Sequence, residues 1–289
     1  MPITNESDDY IQFRDFLEEA CGILLGDNKA YLVNSRLKPV LQKHGLSSLS
    51  QLVSKIKLTG SKLLKDDVVD AMTTNETLWF RDNHPFHLLT TKIFPELCEK
   101  RSLQPIKIWS AACSTGQEPY SIAITAKEFQ DANRGKMNSG VAITATDISQ
   151  TVLNSAREGV YEMLALGRGM SKERLEHCFD EQSQGRWKIK DTYQRVVNFR
   201  LLNLMESFQN IGKDYDIIFC RNVLIYFSAD LKRELLIKMH QSLYRLLNAR
   251  LASDNVCGND PLISLIDINY LSKNLIDSFQ ELVKKRIKC

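Results

Sequence analysis

The chain has no apolar stretch that approaches the roughly 18 residues needed to cross a bilayer. Its first residues, MPITNESDDYIQF, lack the basic and then apolar pattern of a secretory signal. We therefore expect a cytoplasmic protein without direct membrane insertion. The net charge over 289 residues is only +3, so charge gives no reason to expect a nucleic-acid partner.

Paired cysteines are also missing from the sequence. The seven cysteines are odd in number, are scattered along the chain, and never form a C-x-x-C pair. This spacing disfavours a disulfide framework and a zinc site, and we expect no metal. Hydrophobic residues make up 43% and charged residues 25% of the chain, which is the usual mixture of a folded globular protein.

The first 72 residues show helical periodicity and no convincing strand pattern. In the segment YIQFRDFLEEACGI, one helix face would contain Ile11, Phe13, Phe16 and Leu17. A second stripe at helical spacing, which should end near Gly45, consists of Val33, Leu37, Val40, Leu41 and His44. We therefore predict a small all-α N-terminal domain over residues 1–72.

Basic residues of this domain repeat every seven positions, at Lys29, Arg36 and Lys43. They would share a helix face that is exposed and separate from the apolar stripe. Two interpretations remain open at this point. The face is either an ordinary solvated surface or a docking surface for an acidic partner.

The periodicity of the sequence changes near residue 105. Short apolar runs then alternate with helical stretches; the runs are IKIWSA, VAITATD, VVNFRLLNL and YDIIFCRN. Such alternation is typical of βαβ units that build a parallel sheet. We predict a doubly wound, Rossmann-like α/β domain over 105–289, preceded by a linker and a connecting helix at 73–104. The β-like runs around Gly185 indicate either a small β excursion at 177–199 or an ordinary loop.

The segment AACSTGQEPYS, residues 111–121, follows the first predicted strand and leads into a helix. A dinucleotide site would use such a turn with the sequence G-x-G-x-x-G and would place its pyrophosphate at the helix N-terminus. In this segment Gly116 is the only glycine, and Glu118 stands at the helix start. Two like charges ~4 Å apart repel by about 4 kcal/mol at an effective dielectric constant of roughly 20, which disfavours a phosphate here.

A ligand with a positive charge suits the same position. S-adenosylmethionine carries an ammonium and a sulfonium group and no phosphate, so Glu118 could bind its methionine end. Asp147 ends the next predicted strand, where an acid can accept hydrogen bonds from both ribose hydroxyls. Taken singly, Glu118 could be a first-turn acid favoured by the helix dipole, and Asp147 could be a helix N-cap. On successive strand ends, the two together favour a ligand.

Several segments resemble the CheR family, the chemotaxis receptor methyltransferases that esterify glutamate side chains with S-adenosylmethionine. They are MTTNETLWFRDNHPF, SAACSTGQEPYSIAI, ATDIS and YDIIFCRNVLIYF, within a likeness that runs from about residue 8 to 247. The resemblance implies an S-adenosylmethionine-dependent methyltransferase domain whose cofactor contacts are Asn75, Thr77, Arg81, Glu118, Asp147, Asn203, Leu204, Arg221 and Asn222. It also implies that Arg81 and Tyr226 lie closest to the transferred methyl group. Leu78 and Trp79 depart from the family pattern, which we interpret as packing variation.

A carboxylate substrate agrees with the residues near these motifs. A glutamate side chain, with a pKa of about 4.3, is ionised at neutral pH and needs no general base to attack a methyl group. Arg81 can fork onto a carboxylate, and Tyr226 can donate a hydrogen bond that orients the attacking oxygen. Tyr226 could equally be a half-buried core residue.

By resemblance, the expected partners are the cytoplasmic helices of methyl-accepting chemotaxis receptors, which the N-terminal domain would dock. The expected product is S-adenosylhomocysteine, and the enzyme should be a monomer that binds no nucleic acid.

The end of the chain departs from the family. After LYRLL the family continues with a turn and two strands that close the sheet, whereas residues 248–289 contain no clear pair of strands. Apolar residues at helical spacing predict an amphipathic helix over 268–287 instead. This tail keeps open an alternative function, a cofactor-binding or receptor-docking module with impaired turnover. A methyltransferase for a small carboxylic acid is a further alternative.

Overall fold

Helices form the whole of the N-terminal part of the protein. The computed structural model describes residues 8–100 and 103–243, so the atypical tail 248–289 and its predicted helix lie outside the described residues. The N-terminal helices are α1 (Asp8–Cys21), α2 (Ala30–Lys43), α3 (Leu49–Thr59) and α4 (Lys62–Met72). They pack around an apolar core of their own.

The apolar stripe predicted for α2 is confirmed. Val33, Leu37 and Val40 are buried, and Leu41 packs against the same core. In α1 the prediction was partly wrong, because Ile11 is 45% exposed. The buried face of α1 consists of Tyr10, Phe13, Leu17 and Cys21. Successive helical residues are about 100° apart, so a stripe that starts at Tyr10 leaves Ile11 outside it.

A helical segment connects the two domains. It consists of α5 (His84–Leu88), a π-helical turn (Leu89–Ile93) and α6 (Phe94–Lys100). Leu89 and Phe94 are fully buried against the core of the second domain. The connecting segment is therefore part of that domain's packing.

The second domain is built on a parallel sheet. In chain order its elements are β1 (Ile106–Ala111), α7 (Gln117–Ala132), β2 (Val141–Asp147), α8 (Gln150–Glu158), β3 (Val160–Glu162), α9 (Met163–Leu166), α10 (Lys172–Cys178), β4 (Phe179–Glu181), β5 (Arg186–Ile189), α11 (Asp191–Gln194), β6 (Val197–Leu201), β7 (Ile217–Cys220) and α12 (Ala229–Ser242).

The described sheet has the strand order β6-β2-β1-β7, and all of its pairings are parallel. Every strand predicted from the apolar runs is thus confirmed. The chain first moves from β1 through β2 towards β6, and then returns to the other side of β1 with β7. In such sheets a ligand binds beyond the carboxyl ends of the strands, at the point where the order reverses.

A small antiparallel sheet with the order β3-β5-β4 lies beside the main one. The predicted β excursion at 177–199 is confirmed, because β4 and β5 pair there. The sequence interpretation missed β3, since a strand of three residues shows no measurable alternation. Tyr161 of β3 and Phe179 of β4 pack edge-on against Trp79, with ring centroids 4.9 and 5.3 Å away. Trp79 is 1% exposed, which agrees with a packing role for the Leu78-Trp79 departure.

No helix in the described part of the chain has the length and the apolar character that a membrane span requires.

Candidate functional site

A cavity of about 320 Å³ lies at the carboxyl ends of the central strands, between the two domains. It is lined by all of the predicted catalytic and cofactor-binding residues: Asn75, Thr77, Arg81, Glu118, Asp147, Asn203, Leu204, Arg221, Asn222 and Tyr226. The fold therefore brings together residues that are far apart in the sequence, from Asn75 to Tyr226. Their roles as contacts stay predictions.

The loop after β1 adopts an unusual backbone. Ala112, Ser114 and Gly116 have φ angles of +59°, +51° and +95°. Left-handed non-glycine residues are uncommon and persist where the surroundings hold them. Here the Cys113 amide donates to the Thr146 carbonyl at 2.9 Å, and Ser114 Oγ donates to the Asn75 carbonyl at 2.9 Å. The loop is thus tied to the neighbouring strand and to the interdomain linker.

Gly116 occupies a place where no other residue fits well. A Cβ atom there would lie 3.0 Å from Tyr161 Oη and 3.1 Å from Ala156 Cβ. Tyr161 Oη donates to the Thr115 carbonyl at 2.8 Å, and burial raises the pKa of Tyr161 well above its ordinary value. The small sheet that carries Tyr161 therefore supports the loop from behind.

Asp147 is 6% exposed and binds two backbone amides. Its Oδ2 accepts from the Ser114 amide at 2.8 Å, and its Oδ1 accepts from the Ser149 amide at 3.0 Å. Burial raises the pKa of Asp147, while these hydrogen bonds oppose the rise. The N-cap of α8 is Ser149, so the N-cap interpretation of Asp147 is wrong. A carboxylate has about four acceptor positions, which leaves capacity for ribose hydroxyls in the cavity.

Glu118 lies in the first turn of α7 and is also part of the cavity wall. Its Oε1 accepts from Ser110 Oγ at 2.7 Å, and its Oε2 lies 3.3 Å from Arg221 Nη1. Arg221 also contacts Asp82 Oδ2 at 2.5 Å. One guanidinium therefore contacts two carboxylates. The sequence analysis identified Glu118 but missed Ser110 and Asp82, which no local pattern distinguishes.

Arg81 also lines the cavity and lies in the linker that follows α4. Its Nη1 donates to the Glu76 carbonyl at 3.3 Å. The Glu76 carboxylate pairs with Arg168 at 2.8 Å, and this hydrogen bond lowers the pKa of Glu76. Tyr226 is half-buried, lines the cavity, and also packs against the apolar cluster around Phe227. Its position is thus compatible with both interpretations, a catalytic residue and a half-buried core residue.

Asn203 has a structural contact that the sequence did not indicate. Its Nδ2 donates to the Ala20 carbonyl at 2.7 Å, and its Oδ1 accepts from the Met205 amide at 3.0 Å. The side-chain amide is thus used to join the two domains. The cofactor contact predicted for Asn203 and Leu204 is compatible with this structural role, because both residues also line the cavity.

The helical domain supplies a wall of the cavity through residues 20–26, which we call the strap. Ala20 accepts the hydrogen bond from Asn203, and the Leu24 amide donates to the Tyr226 carbonyl at 2.9 Å. Gly22 has a φ of +76°, and a Cβ there would lie 2.5 Å from Leu231 Cδ2. The sequence analysis missed the strap. Its only signal is the pair of glycines that bracket the apolar residues 23–25.

The three residues of the predicted basic face, Lys29, Arg36 and Lys43, have different surroundings. Arg36 is half-buried and donates to the Met72 and Thr73 carbonyls at 2.7 and 3.1 Å. It thereby caps the C-terminus of α4, whose last carbonyls lack helical partners. Lys43 is exposed and pairs with Asp67 at 2.8 Å, and Lys29 lines the cavity. The expectation of one exposed face is wrong for Arg36, whereas docking stays a prediction for all three residues.

Comparisons with known proteins agree with this geometry. The model of the CheR methyltransferase SAM-binding domain matches residues 75–246, and that of the CheR methyltransferase all-alpha domain matches residues 8–73. The chain is 50% identical over 235 residues to the chemotaxis protein methyltransferase Cher2 of Pseudomonas putida, covering 81% of this chain and 85% of that protein. It is 53% identical over 251 residues to chemotaxis protein methyltransferase 1 of Vibrio cholerae, covering 86% and 90%.

The residues of the cavity also fit the cofactor of that family. Asp147 and Glu118 place carboxylate groups in the cavity wall, and Leu202 and Leu204 offer apolar surface. The matches extend over both domains and over most of the length of these relatives. The chain therefore belongs to the CheR methyltransferase family and is an S-adenosylmethionine-dependent methyltransferase.

Proposed function

We propose that the protein transfers a methyl group from S-adenosylmethionine to glutamate side chains of chemotaxis receptors and forms glutamyl methyl esters. The observation that carries the proposal is the shared cavity, in which acids suited to the cofactor face Arg81 and Tyr226. The relatives named chemotaxis protein methyltransferases support a receptor as the substrate.

Asp147 and Glu118 hold the two ends of the cofactor in this proposal. Asp147 accepts hydrogen bonds from the ribose hydroxyls, while its own position is fixed by backbone amides. Glu118 accepts from the ammonium group, and Ser110 and Arg221 fix its carboxylate. The Glu118 carboxylate in the cavity wall suits the ammonium group of the cofactor.

Arg81 and Tyr226 orient the glutamate that reacts. A carboxylate oxygen forms a bond to the methyl carbon while the carbon–sulfur bond breaks, so no proton has to be moved. S-adenosylmethionine supplies the methyl group when it is bound, and its sulfur takes up the electron pair. Correct placement of reacting groups can lower a barrier by ~7–11 kcal/mol, and Arg81 and Tyr226 contribute to that placement in this proposal.

The strap favours the same reaction by giving the cavity an apolar wall segment. An anionic carboxylate and a cationic sulfonium become a neutral ester and a neutral thioether, so opposite charges cancel as the reaction proceeds. Water stabilises the separated charges more than the neutral products, and excluding it strengthens the attraction between them. Ile23, Leu24 and Leu25 line the cavity and reduce its contact with water.

A methyl-transfer assay tests the proposal directly. The purified protein is incubated with S-adenosylmethionine labelled on the methyl group and with a receptor cytoplasmic fragment. We expect label in the receptor that base releases as methanol, and no label when the receptor glutamates are replaced by alanine. Binding of the cofactor without any base-labile label would contradict the proposal and favour the non-catalytic alternative.

A further inference from the structure

We propose that Arg221 is a positioning residue that holds Arg81 in place through the turn at residues 80–83. In this role the Arg221 guanidinium acts through the turn, and the cofactor contact that the resemblance implies for Arg221 falls to its main chain. The inference rests on the proposed function, because it assigns Arg221 a task within the same reaction.

The contacts of Arg221 join separate parts of the site. Its Nη2 donates to the Arg81 carbonyl at 3.0 Å and to Asp82 Oδ2 at 2.5 Å, and its Nη1 contacts Glu118 Oε2 at 3.3 Å. The side chain is only 5% exposed. Its guanidinium thus faces the linker and α7, and a large share of its donors is already used by the protein.

The turn that receives Arg221 has a conformation that needs support. Phe80, Asp82 and Asn83 have φ angles of +47°, +66° and +46°, which non-glycine residues rarely adopt. The Phe80 amide donates to Ser121 Oγ at 3.0 Å, and Ser121 lies on α7. Arg221 provides the second anchor, because it binds the turn and Glu118 of the same helix.

Arg81 lies in the middle of this turn, so the backbone of the turn determines where its side chain starts. Loss of Arg221 would free the Arg81 carbonyl and leave Asp82 and Glu118 without their shared counter-charge. The two carboxylates would then repel each other, and the turn would lose its anchor. The expected result is a displaced Arg81 guanidinium and poorer alignment of the substrate carboxylate.

Asp82 allows the idea to be tested away from the ligands. It is about half exposed and lies outside the cavity wall. Asp82→Asn keeps an acceptor oxygen and a residue type that tolerates positive φ, so it removes mainly the charge. We expect kcat to fall about five- to tenfold, while the Kd for S-adenosylmethionine changes less than about twofold.

Variants of Arg221 complete the series. Arg221→Met should lower kcat by roughly a hundredfold. The kcat of Arg221→Lys should lie between those of Asp82→Asn and Arg221→Met, because lysine keeps the charge but cannot bind several acceptors at once. Asp131→Asn is the matched control: Asp131 is an exposed aspartate in an ion pair with Lys127, on α7 and outside the cavity wall. Its kcat and cofactor affinity should equal those of the unmodified protein.

Amide hydrogen exchange gives a readout that does not depend on turnover. Exchange at residues 79–84 should become at least about fivefold faster in Asp82→Asn and Arg221→Met, and should not change in Asp131→Asn. Unchanged exchange in the first two variants would overturn the proposal. So would normal kcat in Asp82→Asn together with lost cofactor binding in Arg221→Met, because Arg221 would then bind the cofactor directly. An unmodified protein that forms no ester contradicts the proposed function instead, and the exchange experiment still decides the positioning role.

Discussion

The part of the cavity wall that belongs to the α/β domain presents acidic side chains that are fixed by hydrogen bonds. The strap presents apolar side chains, and its main chain is held by hydrogen bonds to the α/β domain. Asp147 and Glu118 each have polar partners for both carboxylate oxygens. Ile23 and Leu24 are held through the backbone and through the fit of Gly22. From this contrast we predict that one wall binds the cofactor and that the other controls the access of water and of the receptor.

The largest expected effect comes from the α/β wall, in Asp147→Ala. Loss of a buried carboxylate that binds the loop, and that we propose to bind the ribose, should weaken S-adenosylmethionine binding by roughly a hundredfold or more. Isothermal calorimetry with the cofactor and with S-adenosylhomocysteine measures it. Asp131→Ala serves as the control, and a Kd for Asp147→Ala equal to that of the control would break the division between the walls.

The strap should show a smaller effect that falls more on turnover than on cofactor affinity. Gly22→Val introduces a clash with Leu231 at a position of positive φ, and we expect methyl transfer to fall about tenfold as the strap lifts. Gly45→Val is a matched control, because Gly45 has a similar φ of +65° but open space around it. Equal methyl-transfer activity of the two variants would show that the close packing of the strap at Gly22 is unimportant for the reaction.

Lys29 tests whether the helical domain affects receptor binding without affecting cofactor binding. It lines the cavity from the helical domain, so Lys29→Ala should raise the KM for the receptor about threefold to fivefold without changing the Kd for S-adenosylmethionine. Steady-state kinetics at several receptor concentrations, combined with calorimetry, give both values. A change confined to the Kd for S-adenosylmethionine would contradict the prediction, because Lys29 would then act on cofactor binding and not on receptor binding.

The smallest effect on activity is expected at Asp67, away from both walls. Burial raises the pKa of Asp67, but hydrogen bonds from Lys43 and His44 outweigh it, and the net pKa is lowered. A lowered folded-state pKa stabilises the protein above the unfolded pKa of about 3.9, and this stability is lost as the pH falls through the folded value. Asp67→Asn should therefore cost about 0.5–1 kcal/mol of unfolding free energy at pH 7.

Thermal unfolding between pH 7 and pH 3 measures this difference. The two proteins should converge in stability as the pH falls through the lowered folded-state pKa of Asp67, because protonation removes the carboxylate charge. Asp66→Asn, at an exposed position of the same helix, should match the unmodified protein throughout. A gap that persists at low pH would mean that the carboxylate charge of Asp67 is not the cause.

The sequence predicted the parts of the fold that depend on local periodicity. The apolar runs identified each strand of the main sheet, and parallel topology then placed Glu118 and Asp147 at the same edge. Contacts between distant segments could not be read in this way. Arg221 and Asp82 are 139 positions apart, and nothing near either residue indicates its partner. Arg36 was misjudged because a helix pattern shows a polar face but not the helix end that packs against it.

The way the strap is seated has a consequence for how receptor preference can be altered. Its hydrogen bonds use the Ala20 carbonyl and the Leu24 amide, which every residue type except proline at position 24 would provide. Side chains at positions 23 and 24 can therefore be exchanged without removing those bonds. We predict that a library of apolar substitutions at these two positions would change the preference for the acceptor while the main-chain hydrogen bonds of the strap are kept.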